Sequence, residues 1–319
     1  MKSIVSILAL IGATFPAAQA GPSHQQVATI TQIEGQAQIF VNPSKKPIPG
    51  KSTKDGTMAL FENEYYLVQE AKIGDQVQKN TIIRTLPNAQ VQIVYDNGDQ
   101  FHMGPGTAYR VTWNDKSELE AKINLMYGRL RGVISKEGPR QKIEIKTRTV
   151  TMGVRGTDFF VADTGPNGET EVSVLRGAVD LFTGKKEVEV KTGESAKVSI
   201  LNAEPKIDLR ETTKEDLGGI QKASTMTTQS KLTPKLEELE KKALQVTTKD
   251  IQLYQPELFK QISSNLSGVK SAQDLNTKMM TLVASTAPSA PAKRTKPRIT
   301  ELKDSDEGDV YDKYFKIDK

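Results

Sequence analysis

The chain of 319 residues contains no cysteine. That absence removes disulfide stapling, thiolate metal sites, cysteine nucleophiles and lipidation of an N-terminal cysteine together. Histidine is almost as scarce, with only His24 and His102. A His-based metal centre and a Ser-His triad therefore lack parts, and no G-x-S-x-G run is present. No catalytic residue, metal ligand or cofactor site is assigned. Long apolar runs are missing too, apart from Ile4 to Phe15. That run follows Lys2 and precedes Ala18-Gln19-Ala20, the pattern of a secretory signal cleaved before Gly21. At about a dozen residues it is shorter than the ~20 needed to cross a bilayer. The mature chain is therefore expected to be periplasmic or otherwise exported, with no transmembrane segment after cleavage. A large charge of one sign is also lacking. The net charge is +5, and loss of Lys2 with the signal leaves +4 (5 − 1). Mixed signs of this kind carry no nucleic-acid footprint, and the mild excess permits only weak attraction to acidic envelope polymers.

What is present is a succession of short strands. Ala28 to Val41 alternates apolar and polar residues around Glu34-Gly35, and Asn42 to Gly56 reads as an exposed loop. Leu67 to Val77 follows with a Gly74-Asp75 turn. Ala89, Val91, Ile93 and Tyr95 then keep strict period two and share one buried face. Asp96-Asn97-Gly98-Asp99 predicts a two-residue type I′ hairpin. On the return strand Phe101 and Met103 face the core, so His102 is predicted to point outward. Gly104-Pro105-Gly106 turns the chain into Tyr109-x-Val111-x-Trp113. Ile123 to Val133, Ile143-x-Ile145, Val188-x-Val190 and Ala196-x-Val198 continue the pattern. Turn signals every ~8–12 residues favour an all-β sandwich, roll or solenoid over βαβ units. The β domain is expected over 27–200.

Val150 to Leu181 is the most informative stretch. Gly156 permits a left-handed corner within Val154-Arg155-Gly156-Thr157. Arg155 is placed to reach a carboxylate such as Asp158, and Thr157 to hydrogen-bond the turn backbone. These three residues are the candidate binding feature, as a structural corner first and a partner contact second. Glu144, Asp158, Asp180 and Glu189 alternate with core positions and read as surface charges rather than a glycosidase-type acid pair. Tyr109 and Trp113 share a face with Val111 and read as core. Tyr65 and Tyr66 point to opposite sides, which makes a weak platform for stacking a sugar.

After about Asn202 the composition turns helical, over an expected 203–284. Thr233-Pro234 suits an N-cap with Pro at the first helical position, ahead of Leu236, Leu239 and Leu244. Pro256 starts a second stripe with Leu258, Phe259, Ile262 and Leu266. Ser271-x-x-Asp274 caps a third with Leu275, Met279, Leu282 and Val283. The last two are expected to form a helical hairpin around Ser267-Gly268. These stripes are expected to dock on the β domain or on each other. From Ser285 the tail reads as disordered. Within it, Lys293, Arg294, Lys296 and Arg298 form a basic cluster able to meet an acidic envelope polymer.

Several elements from Val27 to Val198 occur in an order that resembles the FecR domain, a periplasmic module named after a bacterial iron-citrate signalling regulator. They are Ile73-Gly74-Asp75-x-Val77, Ile93-x-Tyr95-x-Asn97-Gly98-Asp99-x-Phe101-x-Met103-Gly104-Pro105 and Tyr127-Gly128-x-Leu130. Gly153-Val154-Arg155-Gly156-Thr157-x-Phe159, Val172-x-Val174-x-x-Gly177-x-Val179 and Thr192-Gly193-Glu194 complete them. The resemblance implies a twisted β-solenoid or roll and a non-enzymatic interaction or signalling role with an envelope protein partner. A peptidoglycan- or polysaccharide-binding protein is the alternative, and a carboxylate-based glycan hydrolase the remote one. Asn97 stands where the family usually has Asp. Anti-sigma members carry a cytoplasmic domain and a membrane helix that this sequence lacks, so direct transmembrane control of a sigma factor is not expected.

Overall fold

Alternation along each strand sorts the side chains into one apolar and one polar face, and two apolar faces close on each other. The computed structural model describes residues 28–113, 120–138, 142–164, 168–184, 186–201, 204–227, 232–264, 268–289, 294–295 and 299–301. The signal-type segment and His24 lie outside the described residues. With strands numbered in chain order, the first sheet runs β5 (Gln76–Val77), β1 (Ala28–Glu34), β7 (Gln90–Tyr95), β8 (Gln100–Met103), β10 (Glu120–Val133), β13 (Asp158–Asp163) and β14 (Thr170–Arg176). It continues through β17 (Glu194–Leu201) and β18 (Glu204–Glu211) to β19 (Arg294–Thr295). The second sheet runs β3 (Met58–Phe61), β4 (Glu64–Glu70), β2 (Ala37–Ser44), β6 (Ile82–Thr85), β9 (Ala108–Trp113) and again β10. It ends with β11 (Lys142–Lys146), β12 (Thr151–Val154), β15 (Ala178–Thr183), β16 (Lys186–Lys191) and β20 (Ile299–Glu301).

One strand belongs to both sheets. The first half of β10 pairs with β9 and β11, and the second half, from Gly128, pairs with β8 and β13. Gly128 makes the switch at φ +103, where a Cβ would stand 2.4 Å from the Thr107 Cα. Its neighbour Arg129 is held by the Thr107 hydroxyl, which accepts from the Arg129 amide at 2.9 Å. Ile30, Ile93, Phe101, Tyr109, Leu130, Phe159, Val172 and Val190 are among the core residues, drawn from both layers. Buried Tyr109 shares a 2.8 Å hydrogen bond with the Tyr95 hydroxyl. The side chain of Trp113 is outside the described part. The protein is mostly β, and among the described residues every strand pairing is antiparallel except β10 with β11.

The hairpin between β7 and β8 departs from the predicted two-residue turn. Asn97 is not among the left-handed residues, whereas Gly98 is, at φ +93. The Gly98 amide donates to the Tyr95 carbonyl at 2.8 Å, and the Asn97 side chain grips Asp99. This is a type I turn closed by a left-handed glycine, the three-residue alternative. Both loop residues of a two-residue hairpin are left-handed instead at Glu62 and Asn63, between β3 and β4.

Four helices follow: α1 (Lys214–Ser224), α2 (Pro234–Tyr254), α3 (Pro256–Ser263) and α4 (Ala272–Thr286). The expected capping box at Ser271 is present, the Ser271 hydroxyl accepting from the Asp274 amide at 3.1 Å. Three corrections apply to the expected boundaries. Strand β18 extends the sheet past residue 200, and α1 had no named counterpart in the sequence reading. The tail beyond Ser285, expected to be disordered, contributes β19 and β20 to the two sheet edges. The helices dock on the outer face of the first sheet. Leu217, Ile220, Ala223 and Met280 cover Phe160 and Leu175, while Ala243 and Ala272 cover Val94.

Candidate functional site

Beneath those helices the outer face of the first sheet is polar. His102 lies there at 2% exposure. It does point away from the sandwich core, but into the helix layer rather than into water. Among the described residues neither ring nitrogen has a hydrogen-bond partner. Burial first, and then the Arg131 cation, push its pKa down to about 3. A histidine that is neutral when folded and titrates near 6.5 when unfolded contributes stability above pH 6.5 that is lost as the pH falls toward 3. The slope for one such group is up to about 1.4 kcal/mol per pH unit. Chemical denaturation at pH 7.0 and 5.5 should therefore show a smaller acid-induced loss in His102→Asn than in the wild type. An equal loss in both would exclude His102 as its source.

Arg131, beside His102 in the cross-strand row, is 1% exposed and holds Asp158 with two parallel hydrogen bonds of 2.9 Å. Asp158 is thus not a surface charge, and its partner is Arg131 rather than Arg155. Glu144 is also buried, 3.5 Å from the Lys122 ammonium. Along the second sheet Glu144 lies opposite Gly153, and Asp180 opposite both Gly153 and Glu189. These three carboxylates therefore share a cross-strand row on a sheet face, apart from Asp158. Tyr66 is buried and Tyr65 half-buried.

The corner stands on this buried layer. Gly156 has φ +63, and a Cβ there would lie 2.4 Å from the Lys136 Cβ. The Thr157 hydroxyl is positioned to donate to the carbonyls of Arg155 at 3.1 Å and Ala178 at 2.9 Å, and the Ile134 amide donates to the Thr157 carbonyl at 3.0 Å. Thr157 is fully buried, so it serves the turn as expected. Arg155 is exposed, and its guanidinium makes no hydrogen bond or ion pair among the described residues. The corner therefore fixes the backbone around a free guanidinium.

Helix α2 ends at the same corner. Asp250, buried, faces Arg176 at 3.4 Å and accepts from the Lys136 amide at 3.2 Å. Burial pushes the Asp250 carboxyl above its usual range, and Arg176 opposes that shift. The Lys136 ammonium lies 4.3 Å over the Tyr254 ring, whose hydroxyl donates to Glu137 at 2.5 Å. Leu253, 53% exposed, adjoins Tyr254. Lys136, packed against Gly156, thus brings the Tyr254 ring close to the Arg155 corner, and both Leu253 and Tyr254 are exposed. Sequence reasoning found Arg155 and missed the rest, because Lys136 and Tyr254 are separated by more than a hundred residues and carry no shared motif. Of the basic tail cluster only Arg294 is described, in β19 opposite Arg210. Lys293, Lys296 and Arg298 lie outside the described residues.

Two crystal structures of a candidate anti-sigma factor from Parabacteroides distasonis, at 1.65 and 2.50 Å resolution, are similar to this chain at 18% identity, with TM-scores of 0.38 and 0.37. The alignments cover 43% of this chain and 63% and 62% of those chains, less than two thirds of their length. No curated protein matches the chain. Residues 81–180 match the model of the FecR protein family. That span runs from the start of β6 into β15 and includes His102, Arg131, the Arg155 corner and Arg176. The match to the FecR family model therefore spans the strands that carry the sheet side of the polar layer and the Arg155 corner, about a third of the chain.

Proposed function

We propose that the protein is an exported, non-catalytic FecR-type regulatory module that binds a protein partner of the bacterial envelope through the Arg155 corner. The observation that carries this reading is the exposed Arg155 guanidinium, without a partner among the described residues, on a corner whose every other residue is buried. Arginine and tyrosine anchors are enriched among residues that dominate binding energy, and a rigid anchor loses little entropy on binding. With Lys136 beside it and Leu253 and Tyr254 exposed, the surface suits a partner with an acidic rim and an apolar centre. Export rests on the Lys2, Ile4–Phe15 and Ala18-Gln19-Ala20 pattern.

The test is affinity capture of envelope proteins by tagged wild-type chain and by Arg155→Glu, each checked for unchanged melting. A species retained by the wild type and lost with R155E supports the reading, and its loss should exceed tenfold if the cation meets an acidic group. Equal capture by both would remove the corner from binding. Cosedimentation with purified sacculi that survives ~0.2 M salt, where exposed charge attraction is screened, would point to a polysaccharide ligand instead.

A further inference from the structure

A second site lies along the first half of α2, away from the end that meets the corner, where β1, α2 and the residues just before α4 come together. Here a cavity of about 270 Å³ is lined by Gln32, Leu232, Glu237, Glu240, Lys241, Leu244, Lys270 and Ser271. Glu240 is only 4% exposed, and among the described residues neither carboxylate oxygen has a hydrogen-bond partner. Thr31 and Gln92 stand close enough to favour its charge, but neither reaches hydrogen-bond geometry. No cation pairs with it among the described residues, and Asp274 nearby repels it. The Gln32 side-chain carbonyl, also buried, is a third orphan acceptor.

Burying a carboxylate costs several kcal/mol, because the group loses its hydration, and the Thr31 hydroxyl and Gln92 amide beside Glu240 return only part of that. Nothing in the packing of α2 requires an acid at this position, since the neighbouring apolar contacts are made by Leu236, Leu239 and Ala243. A ligand that supplied N–H donors would relieve the cost. An ammonium carries three donors, matching the two Glu240 oxygens and the Gln32 carbonyl. Leu232 and Leu244 offer an aliphatic wall. Lys241 and Lys270 are exposed at the opening and would repel a simple amine, but they suit a carboxylate. Glu237 at the same opening balances only one of them. A ~150 Å³ apolar cavity holds benzene, so this volume accommodates a molecule of roughly ten heavy atoms.

We infer that this cavity binds a small aliphatic α-amino acid, its ammonium on Glu240 and Gln32, its carboxylate toward Lys241 and Lys270, and its side chain against Leu232 and Leu244. The site lies apart from the Arg155 corner, so failure of one reading leaves the other standing. The experiment is isothermal titration of the full chain with L-leucine, with isovalerate, which lacks the ammonium, and with glycine betaine, whose nitrogen has no N–H. L-leucine should bind and the other two should not. Glu240→Gln keeps the shape and should weaken binding by at least about tenfold, which is ~1.4 kcal/mol. Lys241→Ala with Lys270→Ala, both at the surface, should weaken it several-fold and serves as the test if E240Q does not fold. Absence of any heat with L-leucine up to ~10 mM, where even a millimolar site would be filled, overturns the assignment. Equal binding by isovalerate, or unchanged affinity in E240Q, overturns it as well.

Discussion

Asp158→Ala is expected to destabilise the protein by about 3–5 kcal/mol, the usual consequence of removing one partner from a buried ion pair. The reason is specific to this pair. Arg131 and Asp158 are each 1% exposed, and both Asp158 oxygens are engaged by the guanidinium at 2.9 Å. Removing the carboxylate leaves the Arg131 cation beneath α1 with one long contact, 3.5 Å, to the Ser224 hydroxyl. Water cannot reach it without lifting the helix. For a chain of this size a drop in melting temperature on the order of 10 °C follows. Replacing both residues together, Arg131→Met with Asp158→Leu, should restore most of the loss, since apolar substitutes for a buried pair are often neutral or better. A single Asp158→Ala variant that melts with the wild type would mean that the helices do not seal this face in solution.

Gly128→Ala should be damaging by a different route. At φ +103 an L-residue is strained by about 1–3 kcal/mol wherever it sits. Here the added Cβ would also meet the Thr107 Cα at 2.4 Å and the Gly106 carbonyl at 2.7 Å, backbone atoms that no rotamer change can move aside. Overpacking of that kind adds roughly 1–3 kcal/mol. The expected sum of about 2–6 kcal/mol falls at the point where β10 crosses from one sheet to the other. Gly74→Ala is the matched control. Gly74 has φ +96 but nothing within 4 Å, so it isolates the conformational part. The difference between the two midpoints in a urea titration measures the crowding at the crossing. If both variants lose equally, the close approach of β10 to Thr107 is not tight.

Most of the core was legible in the sequence. The alternating residues of β7, β8, β11 and β16 faced inward as expected, because period two leaves no other packing for Ile93, Phe101, Ile145 and Val190. Alternation says which face a side chain takes and not what covers that face. Asp158 and Glu144 therefore looked like surface charges, and His102 looked solvent-facing. For Asp158 and His102 the cover comes from residues far along the chain, as where the Gln100 amide beside them donates to the Thr247 hydroxyl at 2.9 Å. Arg131 and Arg176 escaped notice for the same reason. Helix α1 carried a readable signal, Thr213-x-x-Asp216, which forms a capping box. Gly218-Gly219 interrupts the apolar stripe behind it and hides the helix from periodicity. The Asn97-Gly98 pair suggested a two-residue turn, but Asn97 spends its side chain on Asp99 and leaves the left-handed conformation to Gly98 alone.

The corner at Val154 to Thr157 combines two roles that a single residue type could not fill. Thr157 and Gly156 turn the chain, Asp158 anchors it from below, and the Arg155 side chain is left outside with no partner among the described residues. A structural arginine and a presented arginine differ in what their removal does to folding. Thermal melting of Arg155→Ala beside the wild type separates them directly. The account predicts a change within about 0.5 kcal/mol, the range of ordinary surface substitutions, and a melting temperature within ~2 °C of the wild type. A fall comparable to that of Asp158→Ala would contradict it and return Arg155 to the scaffold.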